Sequence, residues 1–247
     1  MFATEVNDYN LHERVIDIWL CQSAPLQNKQ DDFLSLLSME EKSRAERFKF
    51  AVHRNRFIIF HGFMRTVLAN YLNMEPASLQ FQEGDKGKPY LDDNAGNSQS
   101  LQFNLSHTQD VALLAVTQGS EIGIDIEHIE RKTDWKGVCR RFFTKAEQYA
   151  LFSLPTEALQ ERAFYELWTR KEAYMKVLGS GLSLAPTAFT LSVPPDAPVL
   201  IQHHEKKYLP PEVIEFRAVN LPDAWRNYCA TFAVASAVDE CLFYQFS

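Results

Sequence analysis

The sequence Ile122-Gly123-Ile124-Asp125-Ile126-Glu127 alternates isoleucine with a glycine and two acids. On a strand, successive side chains face opposite ways. One face then carries three isoleucines bound for the core, and the other carries Gly123, Asp125 and Glu127. Two carboxylates beside a position without a side chain offer hard oxygen ligands and room for a bulky anion. Magnesium takes such ligands at ~2.0–2.1 Å and completes its shell with water and substrate phosphates. A solvated acidic strand face is the plain alternative, and so short a motif does not separate the two.

A second cluster is Trp168-Thr-Arg-Lys171-Glu172-Ala-Tyr-Met-Lys176. At ~3.6 residues per helical turn, Trp168, Glu172 and Lys176 stack in one stripe, with Lys171 and Met175 beside them. A carboxylate would stand between two ammonium groups on a stripe anchored by an indole. An ordinary amphipathic helix with a Glu-to-Lys pair worth ~0.2–0.5 kcal/mol explains the same pattern. Two further segments carry groups suited to phosphate. Gly84-Asp-Lys86-Gly87-Lys88-Pro89 is a turn with two lysines and permissive backbone. Phe103-Asn-Leu-Ser106-His107-Thr108 ends a strand with short polar side chains and an imidazole. A hairpin turn and a satisfied strand end are the bland readings of these two.

The elements that must hold these groups are legible in outline. Val15–Leu20 reads as a strand. Asp31 and Asp32 precede a short helix over FLSLL, with carboxylates at its positive end. Ser38 with Glu41 forms a capping box for a second helix, and a long helix is expected over Arg54–Leu72. Strands are expected at Ser78–Gln82, Leu101–Leu105, Val111–Thr117 and Ile122–Ile126. Helices follow over Asp134–Arg141, Lys145–Phe152 and Glu157–Leu178, the last closed by Gly179. Strands near Ala188–Val193, Val213–Val219 and Tyr228–Ala235 finish the chain. The loop over Asp92–Ser100 has almost nothing to bury.

A weak internal echo joins Arg47-Phe48-x-Phe50 and Pro76–Phe81 to Arg141-Phe142-Phe143 and Pro186–Leu191. It favours a two-lobed molecule with a seam near Gly119-Ser120, where ligands tend to bind. At 247 residues with 46% hydrophobic composition the chain can build a sizeable core. The net charge of -7 argues against broad capture of nucleic acid, although Lys42–Arg56 holds six Lys/Arg and one Glu. None of Cys21, Cys139, Cys229 and Cys241 forms a Cys-x-x-Cys motif or has zinc-like spacing to histidine, so reduced thiols are expected. Met1–Asn10 lacks the order of a signal peptide. The longest apolar stretch, Tyr228–Val238, falls short of the ~20 residues that span a bilayer. A cytoplasmic protein without membrane contact is the expectation.

Taken in order, these pieces resemble a known family, the stand-alone 4'-phosphopantetheinyl transferases of the surfactin-synthetase type. The resemblance rests on Gly87-Lys-Pro89, Phe103-Asn-Leu-Ser-His107, Ile122–Glu127, Arg141-Phe-Phe143, Trp168–Lys176 and Gly179-Ser-Gly-Leu182, with Glu40–Phe48 also similar. It implies an α+β fold of two similar α/β halves, residues 1–119 and 120–247, related by a pseudo-twofold duplication, with the active site in the cleft between them. It implies an enzyme that moves the phosphopantetheine of coenzyme A to a serine of an apo acyl or peptidyl carrier protein, releasing adenosine 3′,5′-bisphosphate. Asp125, Glu127 and Glu172 would hold Mg²⁺ against the pyrophosphate. Glu172 would be the base, itself or through a metal-held water, and Lys176 would act near the leaving oxygen as acid or as electrostatic partner. Lys88, Ser106 and His107 would position the phosphates, with Arg44, Arg56 and Lys86 nearer the 3′-phosphate and adenine. The long second-half helix and the residues up to Leu182 would help dock the carrier, and a monomer suffices for such a site. A magnesium-dependent phosphodiesterase or nuclease and an idle carrier-binding module are the alternatives.

Overall fold

The structure, a computed structural model, describes residues 3, 9, 11–84, 87–92, 100–129, 133–179, 184–193, 199, 201–204 and 213–247. In chain order the elements are β1 (Val15–Gln22), α1 (Gln30–Leu36), α2 (Met39–Glu46), α3 (Ala51–Leu72), β2 (Phe81–Glu83), β3 (Pro89–Leu91), β4 (Leu101–Thr108) and β5 (Val111–Gln118). They continue with β6 (Ile122–His128), α4 (Trp135–Phe142), α5 (Lys145–Phe152), α6 (Glu157–Val177), β7 (Phe189–Leu191), β8 (Ile201–His203), β9 (Glu215–Ala218), β10 (Tyr228–Val234) and β11 (Glu240–Phe246). The chain is mixed α and β throughout. Two compact units emerge, Met1–Glu83 with Pro89–Ser120 and Val238–Ser247, and Gly84–Lys88 with Glu121–Ala237.

The first unit is built on a sheet of order β11-β1-β5-β4. β5 pairs antiparallel with both β1 and β4, whereas β11 runs parallel to β1, matching Val15 to Glu240 and Cys21 to Phe246. The expected elements did not include β11, and a division of the chain at Gly119-Ser120 does not capture its return to the first sheet. Trp19, Cys21, Phe103, Ala112, Leu114 and Val116 pack with Ile58, Phe60, Phe63, Val67 and Leu68 of α3 in one core. β5 is buried along its length except at Gln118, which is why VALLAV reads as a continuous apolar run and not as an alternating one. The Ser38 capping box is present, and its Glu41 also receives Arg65 Nε at 2.7 Å and contacts His61 Nδ1 at 2.9 Å. One carboxylate thus caps α2 and fixes it to α3. The expected strand at Ser78–Gln82 differs: Pro76 opens a 3-10 turn over Pro76–Ser78, and the strand begins at Phe81. Proline's fixed φ suits that turn.

The second unit carries the antiparallel sheet β6-β10-β9, the β7-β8 ribbon and helices α4, α5 and α6. Thr144 and Glu147 form the capping box of α5, and Thr156 caps α6. Gly179, with φ +55, follows the end of α6. Trp135, Phe143, Phe164, Leu167, Tyr174 and Phe189 form its aromatic-rich core. Pro186 opens a 3-10 turn ahead of β7 as Pro76 does ahead of β2. The four cysteines are free. Among the described residues no helix is long and apolar enough to cross a membrane.

One polar group in the first core has a measurable consequence. Asp17, 4% exposed, accepts a 2.5 Å hydrogen bond from Tyr71 at Oδ2, and Tyr71 receives Trp19 Nε1 at 2.9 Å. Burial, opposed by the Tyr71 hydrogen bond and aided by nearby Glu240, raises the Asp17 pKa from 3.8 to about 6. The folded chain therefore keeps a proton that the unfolded chain releases, so stability is greater below about pH 4 and falls as pH rises towards 6. Two pH units at ~1.4 kcal/mol each make this ~3 kcal/mol. Asp17→Asn should remove most of that fall, measured by urea unfolding at pH 4 and pH 7. Equal slopes in variant and parent would show that Asp17 is not its source.

Candidate active site

In the second unit α6 lies against β6 and β10. The register places Gly123 opposite Ala233, Asp125 opposite Thr231 and Glu127 opposite Cys229, so these six residues share the face that meets the helix. Ile122, Ile124 and Ile126 on the other face are buried, as the alternation requires. A Cβ at Gly123 would lie 2.1 Å from the Ala173 carbonyl oxygen, 2.8 Å from Lys176 Cβ and 2.9 Å from Val177 N. Ala173, Val177 and Ala233 make a small buried cluster there. The space beside Gly123 is thus filled by helix backbone. That corrects the expectation that the glycine leaves room for a bulky anion.

This close approach sets the chemistry further along the strand. Thr169 Oγ1 meets Thr231 Oγ1 at 3.1 Å. Lys176 Nζ donates to Asp125 Oδ1 at 2.8 Å and to the Ile124 carbonyl at 2.7 Å. Asp125 is buried, while Lys176, Glu172 and Glu127 are partly open. Burial first and then the negative charge of Asp125 push Glu127 up to about 7, with Glu172 adding to the rise and the Trp168 indole and Lys176 opposing it. Glu172 is raised as well, by burial and then by Asp125, against Lys176. Three carboxylates from β6 and α6 therefore sit in one another's field, with the Lys176 ammonium opposing their repulsion.

That donor set fits a divalent cation in kind, since all three ligands are hard oxygens and their mutual repulsion is what a bound cation relieves. Among the described residues, no three His, Cys, Asp or Glu side chains are gathered tightly enough to coordinate an ion as they stand. The Lys176 ammonium is in contact with Asp125.

The remaining candidates are placed as follows. Lys88 Nζ donates to Glu121 Oε2 at 2.7 Å and to the Ile122 carbonyl at 3.0 Å, which ties its turn to the start of β6. Lys86 lies outside the described residues, as do residues 180–183 with Leu182. In the first unit Arg56 Nε bonds Asp110 Oδ1 at 2.8 Å, and Arg44 is exposed with its guanidinium 5.5 Å from the Phe57 ring. Ser106 is buried and His107 exposed on opposite faces of β4, with the imidazole 5.4 Å from the Phe60 ring. Asp125, Glu127, Glu172 and Lys176 are brought together; Arg44, Arg56, Ser106 and His107 are spread over α2, α3 and β4.

Lys171 is a second correction. It does not flank Glu172 on the stripe but points into the core, paired with Glu147 at 2.8 Å. The signal was in the spacing: Phe164, Leu167, Lys171 and Tyr174 fall at the i, i+3, i+7 and i+10 positions of one buried face.

Gly123→Ala should therefore act as overpacking, costing ~1–3 kcal/mol. The expected outcome is a lower melting temperature with α6 displaced from β6; an unchanged melt would mean the helix has slack at this point.

The family model described as the 4'-phosphopantetheinyl transferase superfamily matches residues 121–233, and that described as 4'-phosphopantetheinyl transferase, N-terminal, matches residues 22–119. The chain is 39% identical over 168 residues to the 4'-phosphopantetheinyl transferase HetI of a Nostoc species, covering 68% of this chain and 70% of the relative. It is 31% identical over 195 residues to the 4'-phosphopantetheinyl transferase psf-1 of Bacillus pumilus, covering 76% and 80%. It is 28% identical over 176 residues to the 4'-phosphopantetheinyl transferase Sfp of Bacillus subtilis, covering 71% and 75%.

Proposed function

The chain belongs to the 4'-phosphopantetheinyl transferase superfamily, and from that premise we propose how its own residues carry the reaction. It is an enzyme that transfers phosphopantetheine to carrier proteins. The donor in this reading is coenzyme A, and the acceptor is a serine of an apo acyl or peptidyl carrier. The serine oxygen attacks the pantetheine-side phosphorus, the bond from that phosphorus to the bridging oxygen breaks, and adenosine 3′,5′-bisphosphate leaves. Glu172 on α6 takes the serine proton. Asp125, Glu127 and Glu172 would hold magnesium, which supplies neutralisation of the pyrophosphate charge.

Lys176 is the residue whose placement carries the proposal. Its ammonium already lies among the three carboxylates, bonded to Asp125, and it stabilises charge gathering on the leaving oxygen. Lys88, Ser106 and His107 position phosphates, while Arg44, Arg56 and Lys86 serve the 3′-phosphate and adenine end. Engaging phosphate requires Lys88 to exchange Glu121, and Arg56 to exchange Asp110. The duplication of the two units is part of the same reading, supported by the repeated Pro-led turn and short strand. A monomeric, cytoplasmic enzyme completes it, in keeping with the four free cysteines. Neither the hydrolase nor the idle-module alternative finds support among the relatives.

The direct test is mass spectrometry of several apo-carriers incubated with the protein, coenzyme A and Mg²⁺. A gain of the phosphopantetheine mass on one serine is expected; hydrolysis of coenzyme A without a phosphopantetheinylated carrier would point to a different reaction. Asp125→Ala should abolish transfer with its melt intact, and normal turnover at limiting magnesium would remove Asp125 from the site. Lys176→Ala should lose ~10²–10³-fold in turnover, as removal of one transition-state donor does. Lys136→Ala, whose ammonium pairs with Glu157 on the surface, should lose little, and equal losses would return α6 to a structural role.

A further inference from the structure

The two lysines of the Trp168–Lys176 segment are used in opposite ways. Lys171 is 1% exposed and its partner Glu147 is 0% exposed. Lys171 Nζ donates to Glu147 Oε1 at 2.8 Å, to the Pro186 carbonyl at 2.7 Å and to the Phe189 carbonyl at 2.8 Å, which occupies all three ammonium protons. The ammonium also lies 4.2 Å from the centre of the Phe189 ring. Glu147 is as fully engaged. Its Oε1 accepts from Leu191 N at 2.8 Å, and its Oε2 accepts from Thr144 N at 2.8 Å. One ion pair therefore joins the start of α5, the turn at Pro186, strand β7 and the middle of α6.

Neighbouring residues on a helix point ~100° apart. With Lys171 held by three bonds on one side of α6, the direction of Glu172 is fixed on another. We propose that the Lys171–Glu147 pair is a positioning device for the reaction, setting the rotation of α6 so that Glu172 and Lys176 face Asp125. This rests on the reading of Glu172 and Lys176 given above. Burying two charges adds little to stability compared with an apolar pair of similar volume. Its worth lies in directionality: apolar side chains at 147 and 171 would fill the space but leave the helix free to roll by the slack of van der Waals contacts. The nearby Thr169–Thr231 contact and the backbone approach at Gly123 guide α6 from the sheet side, and Lys171 guides it from the core side.

The experiment is the double variant Glu147→Gln/Lys171→Met, which removes both charges together and leaves no lone buried ion. It is compared with Thr156→Ala, which weakens α6 at its N-cap without touching the pair. Steady-state transfer to an apo-carrier is measured well below the melting temperatures. The double variant should melt cooperatively, keep its KM for the carrier within twofold and lose at least tenfold in kcat, while Thr156→Ala keeps its kcat. A folded double variant with kcat within twofold of the parent would overturn the proposal. So would equal kcat losses in the double variant and Thr156→Ala, since stability alone would then explain them. If the double variant does not fold, Glu147→Gln carries the same expectation, and failure of both to fold also overturns the proposal, because the pair would then be holding the unit together and not aiming one helix. No transfer by the parent protein would instead sink the functional reading and leave the pair's geometry untouched.

Discussion

A backbone-to-backbone approach underlies the candidate site. Helix α6 rests on β6 at Gly123, where a single methyl group would collide with the Ala173 carbonyl. Small residues on both sides, Ala173 on the helix and Ala233 on the neighbouring strand, keep that approach open. Only at this distance can Lys176 reach Asp125 and the Ile124 carbonyl together. The glycine of the strand motif therefore acts through the helix it admits, and the acid two residues later acquires its partner as a result.

Charge in the second unit is sorted by the same helix. On the face towards the strand, three carboxylates raise one another's pKa against the Lys176 ammonium, and Glu127 is pushed up to about 7, first by burial and then by Asp125. On the core side, Lys171 and Glu147 neutralise each other, with every strong hydrogen-bonding position of the lysine used. Burial lowers the Lys171 pKa, and the Glu147 carboxylate works against that shift. Mutually repelling carboxylates are thus gathered on the strand side of the helix, while the buried Lys171–Glu147 pair on the core side is balanced.

Much of this was legible in sequence because periodicity reports burial. The alternation at Ile122–Glu127 gave the strand and its two faces, and the spacing of Trp168, Glu172 and Lys176 placed them along one helix; Lys145–Phe152 is a helix over those very residues. The capping box at Ser38 was equally visible, since its signal is local. What escaped depended on distant partners. β3 and β8 are three residues each and exist only as ribbon partners of β2 and β7. The role of Gly123 needed the position of α6, and the role of Lys171 needed Glu147, which lies on another helix. Ser106 and His107, adjacent on β4, face opposite sides of the strand, one buried and one exposed, as the alternation of a strand requires. That Arg44, Arg56, Ser106 and His107 belong to the first unit while the acids belong to the second was not readable from motif order alone.

The return of β11 to lie parallel with β1 has a consequence for biogenesis. β1 is translated before the second unit, yet its neighbour on that side emerges only after that unit has been made. Until then β1 presents on that side the unpaired backbone groups that β11 satisfies in the finished sheet. A nascent chain with such an edge is exposed to wrong pairing, and closing so long a loop is slow. β11 acts as a latch on assembly, delaying completion of the first sheet until the residues that bear Asp125, Glu172 and Lys176 are already made.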